Sequence, residues 1–182
     1  MPDQSDKSVS AEGIAAAASK AAAKGGLPPV HLWNPPFCGD LDMEIRADGT
    51  WFHEGTPIGR PAMVRLFSTI LKREGDDYFL VTPVEKVGIR VQDAPFIATD
   101  ADITADRIVF TTNVGDSVVA DADHPIILRG DSSAPRPYVH VRAGLEALID
   151  RKTFYRLAAA ADTGPDGRAG VRSCGQFFPL EN

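Results

Sequence analysis

Cysteine is scarce in this sequence. The two cysteines, Cys38 and Cys174, lie far apart, and neither belongs to a Cys-x-x-Cys pair. This usage argues against a disulfide framework and against a structural zinc site, because both need several suitably spaced cysteines. It fits a reducing compartment, and we predict a cytoplasmic protein.

Positive charge and long apolar runs are also in short supply. Lys and Arg number 19 against 25 Asp and Glu, which gives a formal net charge of −6. Bulk nucleic acid and membrane surfaces need a broad basic face, so neither is a predicted partner, and an anion site must be a local basic cluster. The alanine-rich amino-terminal region carries charged residues and predicts neither a signal peptide nor a membrane span.

The familiar catalytic motifs are missing as well. The sequence holds no Gly-x-Ser-x-Gly, no Gly-rich phosphate loop followed by Lys-Ser/Thr and no dinucleotide fingerprint. We therefore expect a non-catalytic protein without a cofactor.

What is present is the composition of an ordinary globular protein, with 43% apolar and 24% charged residues. Turn and breaker residues predict three segments. Residues 1–28 form a loosely held alanine-rich tail, because alanine offers little apolar surface for docking. Residues 29–75 form an N-terminal strand-helix domain, and residues 76–182 form a C-terminal domain. The boundary rests on Glu74-Gly75-Asp76-Asp77, which ends the preceding helical pattern.

The N-terminal domain shows a hairpin followed by a helix. Strands are predicted at 43–46 and 50–53, around a turn at 47–49. Pro61 suits the first position of a helix, since a proline there loses no helical hydrogen bond. The apolar residues of that helix recur at i, i+4, i+7 and i+8: Met63, Phe67, Ile70 and Leu71.

The C-terminal domain reads as strand after strand. Connections too short for crossover helices predict an antiparallel meander of seven strands. These strands lie at 78–82, 84–91, 95–102, 107–112, 117–120, 125–129 and 137–142. A last helix starts near 149–151. The predicted fold class is α+β, with two related domains of antiparallel sheet plus helix, and the C-terminal meander closed by a helix resembles the pleckstrin-homology-like arrangement.

Two stretches of the chain resemble each other. IGRPAMVRL at 58–66 and IDRKTFYRL at 149–157 share four of nine positions. Each follows an apolar residue, a basic residue and, two positions later, a glycine, and each leads into a helical pattern. The repeat predicts a duplicated strand-turn-helix unit in which residues 50–71 and 141–161 superpose.

Longer motifs carry a family resemblance. They are Trp33-Asn34-Pro35-Pro36-Phe37-Cys38-Gly39-Asp40-Leu41-Asp42, Asp48-Gly49-Thr50-Trp51, Pro57-Ile58-Gly59-Arg60, Thr82-Pro83-Val84-Glu85-Lys86 and Tyr138-Val139-His140-Val141-Arg142. With them, residues 31–180 resemble an uncharacterised proteobacterial domain family of unknown function. The resemblance implies a duplicated core, a pleckstrin-homology-like C-terminal domain and a ligand site between the domains, for a nucleotide-like molecule in signalling. It implies no activity.

The repeated arginines, Arg60 and Arg151, lead the candidate site residues. Each lies at a predicted helix start, where unpaired N–H groups disfavour a cation unless an anion neutralises it. With His53 and Arg142 on the strands before them, they would form an interdomain pocket for phosphate or carboxylate.

Lys86 and Glu85 extend this predicted ligand site. Adjacent residues at a strand start point to opposite faces, so one of the two faces the core or an interface. Two structural alternatives stand beside the ligand site. The first is a short edge or turn at 85–86. The second pairs each arginine with a local acid, namely Glu54 or Asp42 for Arg60, and Asp150 or Glu146 for Arg151.

Other functions carry less support from the sequence. Asp121, Asp123 and His124 have the alternation of a metal-dependent hydrolase site, but they precede a strand as turn residues do, so no metal is predicted. A protein-interaction module using exposed strand edges is a third reading. The leading prediction is a non-catalytic binding or signalling protein that recognises a small anionic, nucleotide-like ligand at the interdomain cleft.

Overall fold

The computed structural model describes residues 9–22 and 25–182, and the chain divides into two compact units. The first unit comprises Met1–Arg46 and Thr50–Gln92, and the second comprises Ala47–Gly49 and Asp93–Asn182. Each unit contains a six-stranded sheet and at least one helix. The predicted α+β fold class with two related domains is confirmed.

The first unit combines two α-helices and a short 3-10 helix (Val30–Leu32) with a six-stranded sheet. Its elements are α1 (Ala11–Ala22), β1 (Phe37–Ile45), β2 (Trp51–His53), β3 (Thr56–Pro57), α2 (Pro61–Thr69), β4 (Leu71–Glu74), β5 (Asp77–Val81) and β6 (Lys86–Val91). The strand order is β3-β2-β1-β6-β5-β4, and the central pair β1/β6 is parallel. The core centres on Trp51, whose ring stacks on Phe67 of α2 at a centroid distance of 6.2 Å.

The alanine-rich segment is not a loosely held tail where the structure describes it. Residues 11–22 form α1, which packs against α2 and buries Ile14 and Ala18 completely. Ile14 is the one large apolar side chain that α1 buries, and the alanine-rich composition of the segment gives little sign of it. The rest of the predicted tail includes residues 1–8 and 23–24, which lie outside the described residues.

The predicted boundary at residue 75 falls inside the first sheet. Glu74 and Asp77 face each other across the tight turn that joins β4 to β5. Helix α2 already ends at Thr69, so Leu71 lies in a strand and not in the helix. The chain instead divides between Gln92 and Asp93. A Gly-Asp cluster marks a turn by the same chemistry whether it closes a hairpin or separates domains.

The second unit repeats the plan with a different helix position. Its elements are β7 (Phe96–Ile103), β8 (Ile108–Thr112), β9 (Ser117–Val119), β10 (Ile126–Asp131), β11 (Ala134–Arg142), β12 (Leu145–Ile149), α3 (Arg151–Ala159), β13 (Asp162–Thr163), β14 (Ala169–Ser173) and β15 (Gln176–Pro179). The main sheet has the order β10-β11-β12-β7-β8-β9, with β12 parallel to β7, and β13 to β15 form a small second sheet.

The strand count of the predicted meander needs correction. The first two of its seven strands are β5 and β6, which belong to the first unit, and β12 joins the other five in the six-stranded sheet of the second unit. The sheet is also not a simple meander, because β9 and β10 lie at opposite edges and β7 pairs in parallel with β12.

The two sheets have the same topology. If the strands of each unit are numbered one to six along the chain, both sheets read 3-2-1-6-5-4, with strands one and six parallel. Duplication is therefore present, but β1 corresponds to β7 and β6 to β12. The predicted superposition of 50–71 on 141–161 is wrong, since β3 is an edge strand and β12 a central one.

A shared turn explains why those two segments look alike. Glu54-Gly55 joins β2 to β3 with φ of 50° and 77°, and Ala143-Gly144 joins β11 to β12 with φ of 47° and 79°. Two successive positive φ values are the mark of the tight hairpin turn that matches strand twist. The sequence match therefore reflects a turn and a following helix that the two units share. The turn joins different strands in the two sheets.

Candidate anion-binding site

A cleft of about 610 Å³ opens on the second unit beside the first turn of α3. We call it the second-unit cleft. Its polar wall holds Ser133, Arg136 and Arg151, and its apolar wall holds Leu148, Phe154 and Tyr155. It therefore combines positive charge, a hydroxyl group and aromatic surface.

Helix α3 places three of these side chains together. Arg151, Phe154 and Tyr155 are spaced i, i+3 and i+4, so they share one helix face. The opposite face is fixed by Thr153 and Leu157, which are both fully buried. The cleft residues are thus held by the anchoring of the helix to its sheet.

Asp150 determines where the helix begins. Its carboxylate accepts a hydrogen bond of 2.9 Å from the Thr153 N–H, which is the geometry of a helix N-cap. Burial raises the pKa of Asp150, but hydrogen bonds from Thr153 and Lys152 outweigh burial and hold the pKa below its ordinary value. The carboxylate is therefore ionised at neutral pH. Because it already occupies the helix end, anion recognition in the cleft depends on side chains.

Arg151 differs from most arginines of the second unit. Within the described residues, no carboxylate lies at ion-pair distance from its guanidinium group, which is exposed. Five others are paired with carboxylates: Arg129 with Glu146, Arg136 with Asp93, Arg142 with Asp116, Arg156 with Asp100 and Arg168 with Asp166. Arg151 therefore keeps its hydrogen-bond donors for solvent or a ligand.

Arg136 is held in place by a tyrosine and a carboxylate. Its guanidinium donates to Asp93 at 2.7 Å and to the Tyr138 hydroxyl at 3.1 Å. The same hydroxyl donates to Asp93 at 2.7 Å. Burial, and then the Asp93 carboxylate, raise the pKa of Tyr138, so the hydroxyl stays a donor. This network fixes the direction of Arg136 at the cleft wall.

The predicted site residues of the first unit lie on separate elements. Arg60 is exposed at the start of α2. His53 on β2 is half-buried, with its ring 4.0 Å from the Glu54 carboxylate. Lys86 begins β6 and pairs with Glu74 at 2.6 Å, while Glu85 lies in the turn before β6.

The two predicted residues of the second unit have different environments. Arg142 ends β11, where it donates to Asp116 at 2.7 Å and lies over the Phe96 ring. Arg151 lines the second-unit cleft and Arg142 does not. The alternative pairing of Arg151 with Glu146 is not observed, because Glu146 holds Arg129 through two hydrogen bonds. The meeting of all six predicted residues in one site stays a prediction.

The acidic segment at 121–124 forms a turn. One Asp121 oxygen accepts hydrogen bonds from the N–H groups of Asp123 and His124 and lies 2.9 Å from the His124 ring. The bond with His124 is the main cause that holds the pKa of Asp121 below its ordinary value. Over the described part of the chain, no three potential ligands cluster as a metal site would require.

Sequence reasoning missed the residues that line the second-unit cleft beside Arg151. No binding role is predicted for Phe154 or Tyr155. The signal was present, because two aromatic residues follow the arginine at i+3 and i+4. The contribution of Ser133 and Arg136 had no such signal, since the β10–β11 turn reaches the cleft only through sheet pairing.

Comparison with known proteins identifies the family to which this chain belongs. Residues 28–94 match the N-terminal domain, and residues 95–180 the C-terminal domain, of DUF1285, both described as of unknown function. This chain is similar to a DUF1285 family protein from Silicibacter pomeroyi DSS-3, whose crystal structure is known. The two sequences are 58% identical, and the structures superpose with a TM-score of 0.85 over 93% of this chain and 94% of that one.

A more distant relative has the same family name. It is a DUF1285 family protein from Shewanella baltica OS155, whose crystal structure is known. Its sequence is 28% identical, and the structures superpose with a TM-score of 0.53 over 64% of this chain and 89% of that one. No curated protein matches. Of the helices that the structure describes, none has the length and apolar character needed to span a membrane.

Proposed function

We infer that this chain, which belongs to the DUF1285 family, is a non-catalytic binding protein for a small anionic, nucleotide-like ligand. We place the ligand in the second-unit cleft. The observation that carries this proposal is Arg151, a guanidinium in a cleft wall without a carboxylate partner among the described residues.

The charged wall of the cleft suits a phosphate or carboxylate group. A guanidinium offers a planar fork of donors that matches the oxygen spacing of both anions. Arg136 stands in the same wall with its direction set by Asp93 and Tyr138. The Ser133 side chain adds a hydroxyl group at the cleft, although it is bonded to Asp131. An anion between the arginines would neutralise Arg151 first.

The apolar wall suits a planar group attached to that anion. Tyr155 is 62% exposed, and Phe154 lies beside it on α3. Flat rings stack on such surfaces. The volume of about 610 Å³ falls within the range typical of small-molecule pockets, about 300–1,000 Å³. A nucleotide combines both parts in one molecule.

A thermal-shift screen of mononucleotides and inorganic phosphate tests the proposal. A ligand that binds only the folded state raises the melting temperature by mass action. We expect a mononucleotide to stabilise the wild type. Arg151→Ala should weaken binding by about 1.5–3 kcal/mol, because it removes a charge-assisted hydrogen bond.

Arg107→Ala is the matched control. Arg107 is exposed on the second unit, has no carboxylate partner among the described residues and lies outside the cleft. Equal stabilisation of wild type and Arg107→Ala, with loss in Arg151→Ala, supports the site. An unchanged response in Arg151→Ala, or no response to any compound in the wild type, contradicts it.

The wider site and the rival functions are tested with the same protein. A ligand response lost in Arg142→Ala would support the predicted contribution of that residue. Turnover of phosphoesters by wild type, abolished in Asp123→Ala, would favour the hydrolase reading and refute a non-catalytic one. The signalling role stays a prediction.

A further inference from the structure

A second cleft, of about 340 Å³, lies on the first unit where β1 and β5 flank β6. We call it the first-unit cleft. Its walls hold two aromatic rings from one face of the sheet, Phe37 and Phe79, and two carboxylates, Asp40 and Asp77. Lys86 completes the wall.

The aromatic wall is partly exposed to solvent. Phe37 is 57% exposed, and its ring meets Phe79 edge to face at a centroid distance of 6.0 Å. Strand β6 lies between β1 and β5, so that Phe37 is opposite Lys86 and Phe79 is opposite Gly88. Both rings therefore lie in one region of the sheet. Aromatic ring faces carry partial negative charge and attract cations.

An ammonium group already occupies part of this wall. The Lys86 Nζ lies 4.3 Å from the centroid of the Phe79 ring and 2.6 Å from the Glu74 carboxylate. The hydrogen bond from Lys86 is the main cause that holds the pKa of Glu74 below its ordinary value. Lys86 and Glu74 therefore neutralise each other, and their contact shows that ring and carboxylate together accommodate an ammonium group here.

The remaining charge in the cleft is negative. Asp40 and Asp77 are exposed, and neither makes an ion pair with any described residue. Gly88 lets Asp40 lie against the sheet, because a Cβ at that position would stand 2.2 Å from an Asp40 oxygen. With Lys86 neutralised by Glu74, two carboxylates face a cleft lined by rings.

We propose that the first-unit cleft binds a small organic cation, an ammonium group carried on a compact apolar skeleton. The rings would contact the apolar skeleton, and the carboxylates would balance the charge. A hard metal ion fits less well, because it needs more oxygen ligands than two carboxylates supply. An anion would be repelled by Asp40 and Asp77. The proposal concerns the first unit and stands independently of the anion site.

The test is an NMR titration of the full-length, ¹⁵N-labelled protein with choline and with 3,3-dimethylbutan-1-ol. The two compounds have nearly the same shape, but only choline carries a charge. We expect choline to shift the backbone signals of residues 37–40, 77–79 and 86–89, and the neutral compound to bind at least about fivefold more weakly. Equal affinities for the two compounds, or no response to choline, would overturn the proposal.

Two variants and a control locate the charge. Asp40→Asn and Asp77→Asn should each weaken choline binding by about 1.5-fold to fivefold, the range for a solvent-exposed charge. Asp76→Asn removes the neighbouring carboxylate, which is fully exposed and outside the cleft, and should change nothing. Equal effects in all three variants would contradict a local site. A parallel titration with a trimethyllysine peptide distinguishes a free cation from a protein side chain as the source of the ammonium group.

Discussion

At the residue scale, ion pairing with carboxylates distinguishes arginines that stabilise the fold from those that can bind a ligand. Arg129 on β10 pairs with Glu146 on β12, and Arg142 on β11 pairs with Asp116 in the turn before β9, so both charges are matched within the fold. Arg151 has the same side chain at the start of α3 but no such partner among the described residues. Its place at a helix start follows from the sequence. Its lack of a partner does not, because pairing depends on which distant residues the sheet brings close.

Asp150 gives a prediction at this scale. Asp150→Ala removes the N-cap of α3 and should lower the free energy of unfolding at neutral pH by about 1 kcal/mol, as measured by urea denaturation. Asp150→Asn keeps an acceptor and should retain much of the stability.

The pH dependence has a definite sign. Because the pKa of Asp150 is lowered in the folded state, its stabilisation is present above the ordinary aspartate pKa and is lost as pH falls through the folded value. The stability difference between wild type and Asp150→Ala should therefore shrink in acid. A difference that stays constant down to acidic pH would show that charge plays no part in the cap.

At the element scale, sequence patterns located the local elements well. The prediction that α2 starts at Pro61 is confirmed, and α3 begins at Arg151, within the range of 149–151 predicted for its start. Local rules fix such starts, since proline and capping residues act within a single turn. The parallel pairs β1/β6 and β7/β12 join strands far apart in the chain, and no short-range pattern announces them.

Helix α1 carries a prediction at this scale. Ile14 is its one large buried side chain, so Ile14→Ala should lower the free energy of unfolding by about 2–4 kcal/mol, as a deleted core side chain does. Ser19→Ala, on the exposed side of the same helix, should change stability by less than about 0.5 kcal/mol. Urea denaturation of the two variants beside wild type measures both. Equal stability of Ile14→Ala and wild type would mean that α1 contributes nothing to the fold.

At the scale of the whole molecule, duplication is the organising fact. Both sheets read 3-2-1-6-5-4, yet the helix follows strand three in the first unit and strand six in the second. A short sequence match marks the correspondence of β1 and β2 with β7 and β8. Ile45-Arg46-Ala47-Asp48 leads from β1 to β2, and Ile103-Thr104-Ala105-Asp106 leads from β7 to β8. The more conspicuous arginine repeat at 58–66 and 149–157 predicted the wrong correspondence, because the same turn and the same kind of helix start occur at different places in the two units.

The two units also differ in the chemistry of their clefts. The first-unit cleft pairs aromatic rings with carboxylates, and the second-unit cleft pairs aromatic rings with arginines. The sequence predicted an anion site and named Arg151 within it, but it did not reveal that Lys86 stands beside Asp40 and Asp77. Opposite charge in the two clefts means that one titration with an anion and one with a cation address them separately.

The central claim is that an anionic, nucleotide-like ligand binds beside α3 through Arg151. The most direct measurement is the NMR footprint of a mononucleotide on the full-length, ¹⁵N-labelled protein. The account predicts saturable shifts confined to residues 133–137 and 148–155, with those shifts lost in Arg151→Ala and kept in Arg107→Ala. A footprint centred elsewhere, or an identical footprint in Arg151→Ala, would contradict it.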